Sequence, residues 1–243
     1  MNWLLILGAR SDIAKAVARK FAQSGFNICL AARNHQELER DARDLEIRYQ
    51  VKTQAVEFDA LDYTGHQAFY DGLPERPVGV VSAVGHLGDQ HIAEQDFNEA
   101  VKIMNTNYTG CVSILNIIAQ DFEKRKDGFI IGISSVAGDR GRQSNYFYGS
   151  AKAGFSAYLS GLRNRLSRSN VQAITVKPGF VDTKMTEGMS LPPFLTSQPE
   201  EVAENIYKSW KNGRNVVYAK WFWRWIMLVI KIIPEGIFKK LKL

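Results

Sequence analysis

Cysteine and histidine are scarce in this chain of 243 residues, which contains two of the first and four of the second. Cys29 and Cys111 each lie in an apolar run, so we interpret them as reduced residues of the core and not as a disulfide. The histidines show no metal-ligand spacing with one another or with cysteine,. The sequence therefore predicts neither a disulfide framework nor a metal site.

Long hydrophobic runs are missing as well. The uncharged apolar run at residues 225–230 is far shorter than the roughly 20 residues that a membrane-spanning helix needs. The apolar run at residues 3–7 is too short for the hydrophobic part of a signal peptide, and no basic residue precedes it,. These absences predict a cytoplasmic location, and peripheral contact with the inner face of the membrane stays open.

Acidic residues are nearly absent from the end of the chain. Residues 220–243 hold six basic side chains and one acid, Glu235, so they carry five of the six net positive charges. The preceding 219 residues are almost neutral. Because the basic balance belongs to this tail and not to the body, the sequence does not predict a nucleic-acid partner.

Short apolar runs alternate with amphipathic stretches along residues 1–219, with no repeat or long polar linker between them. This alternation predicts one doubly wound α/β domain, the Rossmann arrangement, with about seven parallel strands and helices on both faces. Residues 220–243 are predicted to form a separate amphipathic segment. We place strands at residues 3–7, 28–32, 51–58, 78–82, 129–134, 171–176 and 216–218, and the longest helices at residues 35–49, 63–73, 97–122, 148–166 and 199–210.

Ligands of such sheets bind outside the carboxyl ends of the strands. In a dinucleotide-binding fold, the turn after the first strand is rich in glycine and receives a pyrophosphate at a helix N-terminus. Here Gly8 is the only glycine of that turn, and Asp12 and Ala14 occupy the later positions. A carboxylate at residue 12 would repel a pyrophosphate unless it points away, and a simple strand-to-helix turn is the alternative.

The end of the second strand lacks an acid. An acid there would bind the ribose hydroxyl of NAD, whereas arginine binds the 2′-phosphate of NADP. Arg33 follows this strand directly, and Arg10 in the first turn offers a second cation. The pattern predicts NADP(H), with two solvated surface arginines as the alternative.

Three polar residues are expected near this edge of the sheet. Ser135 follows the fifth strand, and Tyr148 and Lys152 lie one helical turn apart,. A free phenol titrates near ~10, and a neighbouring ammonium is expected to lower that pKa so that the phenol exchanges protons near neutral pH. A core tyrosine beside a solvated lysine is the alternative.

In these residues the chain resembles the short-chain dehydrogenase/reductase family over residues 2–218. Ser135, Tyr148 and Lys152 match the Ser…Tyr-x-x-x-Lys spacing of that family, and Asn107 falls where the family has its helix asparagine. Residues 177–183 match its segment near the nicotinamide. The cofactor contacts that these patterns and the resemblance imply are Gly8, Arg10, Ser11, Asp12, Ile13, Arg33, Asp59, Ala83, Gly85, Tyr148, Lys152, Pro178, Gly179, Val181 and Thr183.

The resemblance implies an oxidoreductase that interconverts a carbonyl and a secondary alcohol by hydride transfer from NADPH. Tyr148 would exchange the proton, Lys152 would lower its pKa and bind the nicotinamide ribose, Ser135 would bind the substrate oxygen, and Asn107 would hold a water. Tyr146, the rival phenol, lies six residues before Lys152 and would not face it. The loop Ser82-Ala83-Val84-Gly85 departs from the Asn-Asn-Ala-Gly of the family.

The sequence of the C-terminal tail is compatible with more than one binding partner and more than one substrate. Three tryptophans and six basic residues suit a helix at a membrane surface, but packing on its own domain, on a partner subunit or at the mouth of the substrate site remains open. The chain also resembles reductases of polyprenyl-phosphate keto-pentoses, while a fatty ketone is equally allowed. The resemblance implies a homodimer or homotetramer. A non-catalytic NADP(H) sensor and a membrane-associated scaffold are the rival functions.

Overall fold

The computed structural model describes residues 2–241 as an α/β fold around one seven-stranded sheet. All seven strands are parallel, in the order β3-β2-β1-β4-β5-β6-β9. A two-stranded sheet, β7-β8, lies beside it. The strands are β1 Trp3–Leu7, β2 Asn27–Ala32, β3 Thr53–Glu57, β4 Gly79–Ser82, β5 Gly128–Ile133, β6 Val171–Pro178, β7 Phe180–Val181, β8 Thr196–Ser197 and β9 Val216–Ala219.

Helices cover both faces of the sheet, as the alternating pattern predicted. β1 illustrates the consequence, since Leu4 and Ile6 join the core on one face while Leu5 and Leu7 join the core on the other. Each such buried side chain stabilises the fold by roughly 1.5–3 kcal/mol. The helices are α1 Asp12–Gln23, α2 Glu39–Tyr49, α3 His66–Asp71, α4 Gln90–Gln95, α5 Phe97–Met104, α6 Gly110–Arg125, α7 Tyr146–Leu166, α8 Pro199–Lys211, α9 Trp223–Ile232 and α10 Glu235–Phe238.

The region between β4 and β5 differs most from the sequence prediction. The single helix expected at residues 97–122 is divided into α5 and α6 by a π-helical turn, Asn105–Thr109. The short helix α4 was missed. Its signal was Asp89, whose Oδ1 accepts the N–H groups of His91 (2.8 Å) and Ile92 (3.0 Å) as a helix N-cap,.

The C-terminal tail folds back onto the body of the protein. Trp223 and Met227 of α9 are buried, and the indole of Trp223 lies so close to Gly179 that a Cβ there would be 2.0 Å from it. Arg140 donates to the carbonyls of Ile230 (2.5 Å) and Ile233 (2.7 Å). These contacts favour the packing alternative for one face of the tail. Within residues 2–241, no helix has the length and apolar character needed to cross a bilayer.

Candidate active site

A cleft of about 800 Å³ opens at the carboxyl edge of the sheet, where the loops after β1, β2, β4, β5 and β6 meet. Every cofactor-binding or catalytic residue expected from the sequence lines this cleft except Asn107. The structure therefore brings together residues that lie as far apart in the chain as Gly8 and Thr183.

The first turn is closely packed against the loop after β4. Gly8 has a φ of +77°, and a Cβ there would lie 2.8 Å from the backbone nitrogen of Val84, so glycine alone fits this approach. Ser11 caps α1 by accepting the N–H of Ala14 (3.1 Å),. The carboxylate of Asp12 accepts the backbone N–H of Lys184 (2.9 Å). Asp12 thus ties the first turn to the segment after β7.

The two arginines expected near the 2′-phosphate line the same part of the cleft, together with a carboxylate that sequence reasoning missed. Arg10 forms an ion pair with Glu37 (2.8 Å) in which both side chains are about half exposed. Arg33 has no ion pair within the described residues. Glu37 belongs to a helical stretch rich in charged residues, and nothing in that pattern distinguishes it from the solvated acids around it.

Ser135 and Tyr148 are brought together by close packing of the turn after β5 against α7. A Cβ at Gly138 would lie 2.7 Å from backbone atoms of Lys152 and Ala153, so any larger residue would push this turn away. Ser135 and Tyr148 both line the cleft, and the hydroxyl of Ser135 is close enough to lower the pKa of the Tyr148 phenol while it accepts the N–H of Ala137 (3.1 Å). The predicted convergence of a serine at a strand end and a tyrosine at a helix start is therefore present.

Lys152 is buried on the same helix face. Its Nζ donates to the carbonyl of Ile133 (3.1 Å), lies 3.4 Å from the carbonyl of Val84, and is 5.7 Å from the ring centroid of Tyr148. The ammonium therefore faces backbone carbonyls and stands beside the aromatic ring. This geometry leaves it near the phenol without a direct hydrogen bond between the two groups in the described structure.

The pKa of Tyr148 shifts in the direction opposite to the one expected from the sequence. Burial raises the pKa of Tyr148 to about 12, and the hydrogen bond from Ser135 opposes this change. Burial also lowers the pKa of Lys152 to about 8. The prediction that the ammonium would lower the pKa of the phenol was wrong, because desolvation is the largest influence on this pKa and raises it,.

Asn107 lies behind the cleft and holds its wall. The side chain is fully buried in the π-helical turn, where Nδ2 donates to the carbonyls of His86 (2.6 Å) and Ile103 (2.8 Å), and Oδ1 accepts the N–H of His86 (3.2 Å). Both amide hydrogens are therefore committed to the backbone. Only Oδ1 has remaining capacity for the expected water.

Tyr146 points away from this site, as predicted. It is 41% exposed, and its hydroxyl donates to Oε1 of Glu94 (3.3 Å) on α4. The surface position makes it a matched control phenol for Tyr148.

Two further lining residues escaped the sequence reasoning. Arg142 and Asn145 lie between Ser135 and Tyr148 in the chain and line the cleft. Behind them, buried Asp139 forms an ion pair with Lys177 and accepts the hydroxyl of Tyr218 (2.8 Å). Since Arg142 and Asn145 lie in an irregular segment before α7, no periodicity of the sequence distinguishes them from solvated loop residues.

The tail does not line the cleft. No residue of the described part of the tail, 220–241, belongs to its walls. The tail contacts the wall from outside, through Met227 on Arg142 (3.5 Å, Sδ to Nη2) and through Trp223 on Gly179. Within the described residues, the tail therefore supports the cleft wall from behind, and its role at a substrate mouth stays a prediction.

Comparison with known proteins identifies the family in which this arrangement of residues occurs. The family model for short chain dehydrogenases matches residues 2–192. The chain belongs to the short-chain dehydrogenase family. It is 37% identical to an uncharacterised oxidoreductase of Mycobacterium tuberculosis over 241 residues, which cover 98% of this chain and 96% of that protein. Another uncharacterised oxidoreductase, from Streptomyces coelicolor, is 34% identical over 98% of this chain and 95% of its own.

A solved structure of a family member has the same fold. The short-chain dehydrogenase of Sphingobium yanoikuyae in complex with NADPH aligns with a TM-score of 0.85 at 22% identity, covering 94% of this chain and 92% of that one. The predictions of the short-chain dehydrogenase family, of its oxidoreductase class and of the doubly wound sheet are confirmed. The resemblance to the polyprenyl-phosphate branch stays a prediction.

Proposed function

We propose that the protein is an NADPH-dependent reductase that interconverts a carbonyl and a secondary alcohol. The observation that carries the proposal is the convergence of Ser135, Tyr148 and Lys152 in one cleft with the glycine turn after β1. NADPH bound in this cleft would supply the hydride. The Ser135 hydroxyl would bind the substrate oxygen, where negative charge develops, and Tyr148 would give that oxygen its proton.

The protonation states of Tyr148 and Lys152 suit the reduction reaction, in which the phenol must start with its proton,. With a pKa of about 12, Tyr148 keeps its proton throughout the neutral range and is ready to act as an acid,. The ammonium of Lys152 would stabilise the phenolate that is left behind and bind the ribose of the nicotinamide. Asn107 would keep the loop of residues 83–88 in place beside Lys152.

This proposal is tested by mixing the purified protein with NADPH and ketones graded by chain length and sugar content. We expect oxidation of NADPH with at least one ketone of the series, neutral or acidic. NADPH binding without turnover on the whole series would favour the rival function of a sensor, and absence of NADPH binding would favour a scaffold.

The pH dependence of reduction follows from Lys152. Its ammonium is present below about pH 8 and is lost as the pH rises through that value. We therefore expect kcat/KM for ketone reduction to fall as the pH is raised from about 7 to about 9. Steady-state rates across this range provide the measurement, and a rate that increases over the same range would contradict the role given to the lysine.

Arg10 and Arg33 support the choice of NADPH over NADH. A guanidinium matches the geometry of a phosphate, and Arg33 is free of ion pairs within residues 2–241. The Arg10–Glu37 pair is solvated and contributes little,, so Arg10 can exchange this partner for a phosphate at small cost.

We expect Arg33→Ala to lower kcat/KM for NADPH about tenfold, because one charge-assisted contact to the 2′-phosphate is lost. The value for NADH should stay within about twofold, since that cofactor lacks this phosphate. Arg214→Ala removes an exposed arginine outside the cleft and is the matched control. Equal or better turnover of the wild-type protein with NADH would contradict the cofactor assignment.

The outer face of α9 supports a second proposal, contact with an anionic membrane surface. Trp225, Leu228, Val229 and Ile232 lie on one face of the helix at spacings of three and four residues and are 45–69% exposed,. Arg224 and Lys231 belong to the same helix, and two further lysines at residues 239–240 follow α10. The only acid of the tail, Glu235, is paired with Arg140 (2.9 Å), so the charge of the surface favours anionic lipid.

Flotation with vesicles tests this surface in the full-length protein. We expect binding to vesicles that contain phosphatidylglycerol and loss of binding in a Trp225→Ser/Ile232→Ser variant, because two of the apolar anchors are removed. Ile47→Ser is the control, since Ile47 is 80% exposed far from the tail. Equal flotation of the variant and the wild type, or conversion of a dimer to a monomer by the variant, would overturn the membrane proposal.

A membrane surface next to the cleft is consistent with a hydrophobic or lipid-linked carbonyl substrate. Met185 and Met189 line the cleft and are about half exposed, and methionine adapts to irregular apolar ligands. A keto-sugar on a polyprenyl phosphate remains our proposal for the finer substrate class. A homodimer or homotetramer stays a prediction.

A further inference from the structure

Arg142 is a cation of the cleft wall that the proposed reaction does not use. Its Nε is buried and has no hydrogen-bond partner within the described residues, while Nη2 reaches only the weakly accepting Sδ of Met227 (3.5 Å),. Among residues 2–241, no carboxylate lies within ion-pair distance of it. Buried donors are normally satisfied, so an unpaired guanidinium in a ligand cleft indicates a missing acceptor.

The carboxylate whose charge acts on Arg142, that of Asp139, is already occupied. Asp139 is almost fully buried, and its Oδ1 pairs with Lys177 while its Oδ2 accepts the hydroxyl of Tyr218. Asp139 interacts with Arg142 at longer range, while burial lowers the pKa of Arg142. An arginine nevertheless keeps its charge at neutral pH. Two cations therefore share one carboxylate in this part of the wall, and the unneutralised charge is on Arg142.

The position of Arg142 separates it from the expected cofactor phosphates. It lies on the segment that carries Ser135 and Tyr148, and not on the first turn or after β2, where Arg10 and Arg33 lie. Asn145 lines the cleft on the same segment. The unpaired guanidinium of Arg142 thus belongs to the part of the cleft that holds the reacting carbonyl in the proposed function.

We propose that Arg142 binds an anionic group of the carbonyl substrate, a carboxylate or a phosphate, and so selects acidic substrates over neutral ketones. The planar guanidinium offers paired N–H donors that match the oxygens of either group. This inference rests on the proposed function for the identity of the reacting carbonyl, but the anion site itself does not require turnover.

The inference is tested by measuring the binding of three probes that share an alkyl chain and differ in their head group. Octyl phosphate, octanoate and 1-octanol are titrated into the full-length protein by calorimetry, in the presence of saturating NADP⁺ so that Arg10 and Arg33 are occupied. We expect one or both anions to bind at least about tenfold more tightly than octanol. The comparison between octyl phosphate and octanoate shows which of the two groups the site accepts, and inorganic phosphate reports the contribution of the anion without a chain.

Arg142→Gln and Arg142→Met should each abolish the preference for the anion and leave octanol affinity within about twofold. Arg214→Gln, an exposed arginine outside the cleft, should preserve the preference. A preference that persists in both Arg142 variants, or the absence of any preference in the wild type, would overturn the proposal. If both variants unfold in thermal melts, the guanidinium is a structural group and the proposal fails as well.

The same titrations separate this inference from the proposed function. If NADP⁺ does not bind, the reductase proposal fails, and the probes are then compared in the cofactor-free protein. An anion preference that depends on Arg142 would still support the site under that condition. If NADP⁺ binds and ketones are reduced without any anion preference, only the present inference is wrong.

Discussion

We expect Tyr148→Phe to lower kcat for ketone reduction by about 10²- to 10⁴-fold while NADPH affinity stays within about twofold. Phenylalanine preserves the ring beside Lys152 but removes the hydroxyl that interacts with Ser135. The reaction would therefore lose its proton donor without losing the shape of the cleft. Steady-state oxidation of NADPH gives kcat, and titration of NADPH fluorescence gives the affinity.

Tyr146→Phe is the matched control for this change. Tyr146 lies two residues away on the same helix, but its hydroxyl bonds Glu94 at the surface. Its loss should change kcat by less than about twofold. If Tyr146→Phe abolished turnover and Tyr148→Phe did not, the assignment of the proton donor would be wrong.

The second large effect is expected for Lys152→Met. The methionine side chain fills a similar volume, but it has no ammonium to stabilise a phenolate or to bind the cofactor ribose. We expect kcat to fall about 10²-fold or more and NADPH affinity to fall about tenfold through the lost charged hydrogen bond. The combined loss of rate and affinity distinguishes this variant from Tyr148→Phe, which loses rate alone.

Lys124→Met is the control, because Lys124 is exposed near the end of α6 and does not line the cleft. It should leave both kinetic parameters within about twofold of the wild type. A Lys152→Met variant with unchanged NADPH affinity would contradict the ribose contact, and one with unchanged kcat would contradict the role of the ammonium.

Much of the fold was predictable because parallel strands buried on both faces give continuous apolar runs. β1 and β2 are examples, since every residue of both strands is buried. The division of α5 from α6 was not predictable from periodicity, because the π-helical turn at residues 105–109 adds only a small local change of register,. That turn directs Asn107 into the protein toward the loop of residues 83–88.

The composition of the site was predictable for a related reason. Residues that follow parallel strands meet at one edge of the sheet, so Gly8, Ser135 and Pro178 could be placed together before any contact was known,. Glu37 and Arg142 could not be placed, since irregular segments and charged helices do not determine where an individual side chain points. The direction of the phenol pKa also depended on burial, which the spacing of Tyr148 and Lys152 does not report.

The C-terminal tail has one feature that the sequence predicted and one that it could not predict. Its three tryptophans and six basic residues predicted a separate amphipathic segment, but the sequence could not say which tryptophan would be buried. In the structure, Trp223 packs on Gly179, while Trp221 and Trp225 remain exposed. Rigid packing of an indole on a glycine is a tertiary contact, and helical periodicity alone does not determine it.

The most direct test of the central claim follows the hydride itself. NADPH carrying deuterium at the transferable position of nicotinamide C4 is incubated with the wild-type protein and a ketone that it consumes, and the product is examined by mass spectrometry. We expect the alcohol to carry the deuterium on the former carbonyl carbon, with one NADP⁺ formed per alcohol, and Tyr148→Phe to form almost none. An alcohol without deuterium, or equal formation by Tyr148→Phe, would contradict the proposed reduction.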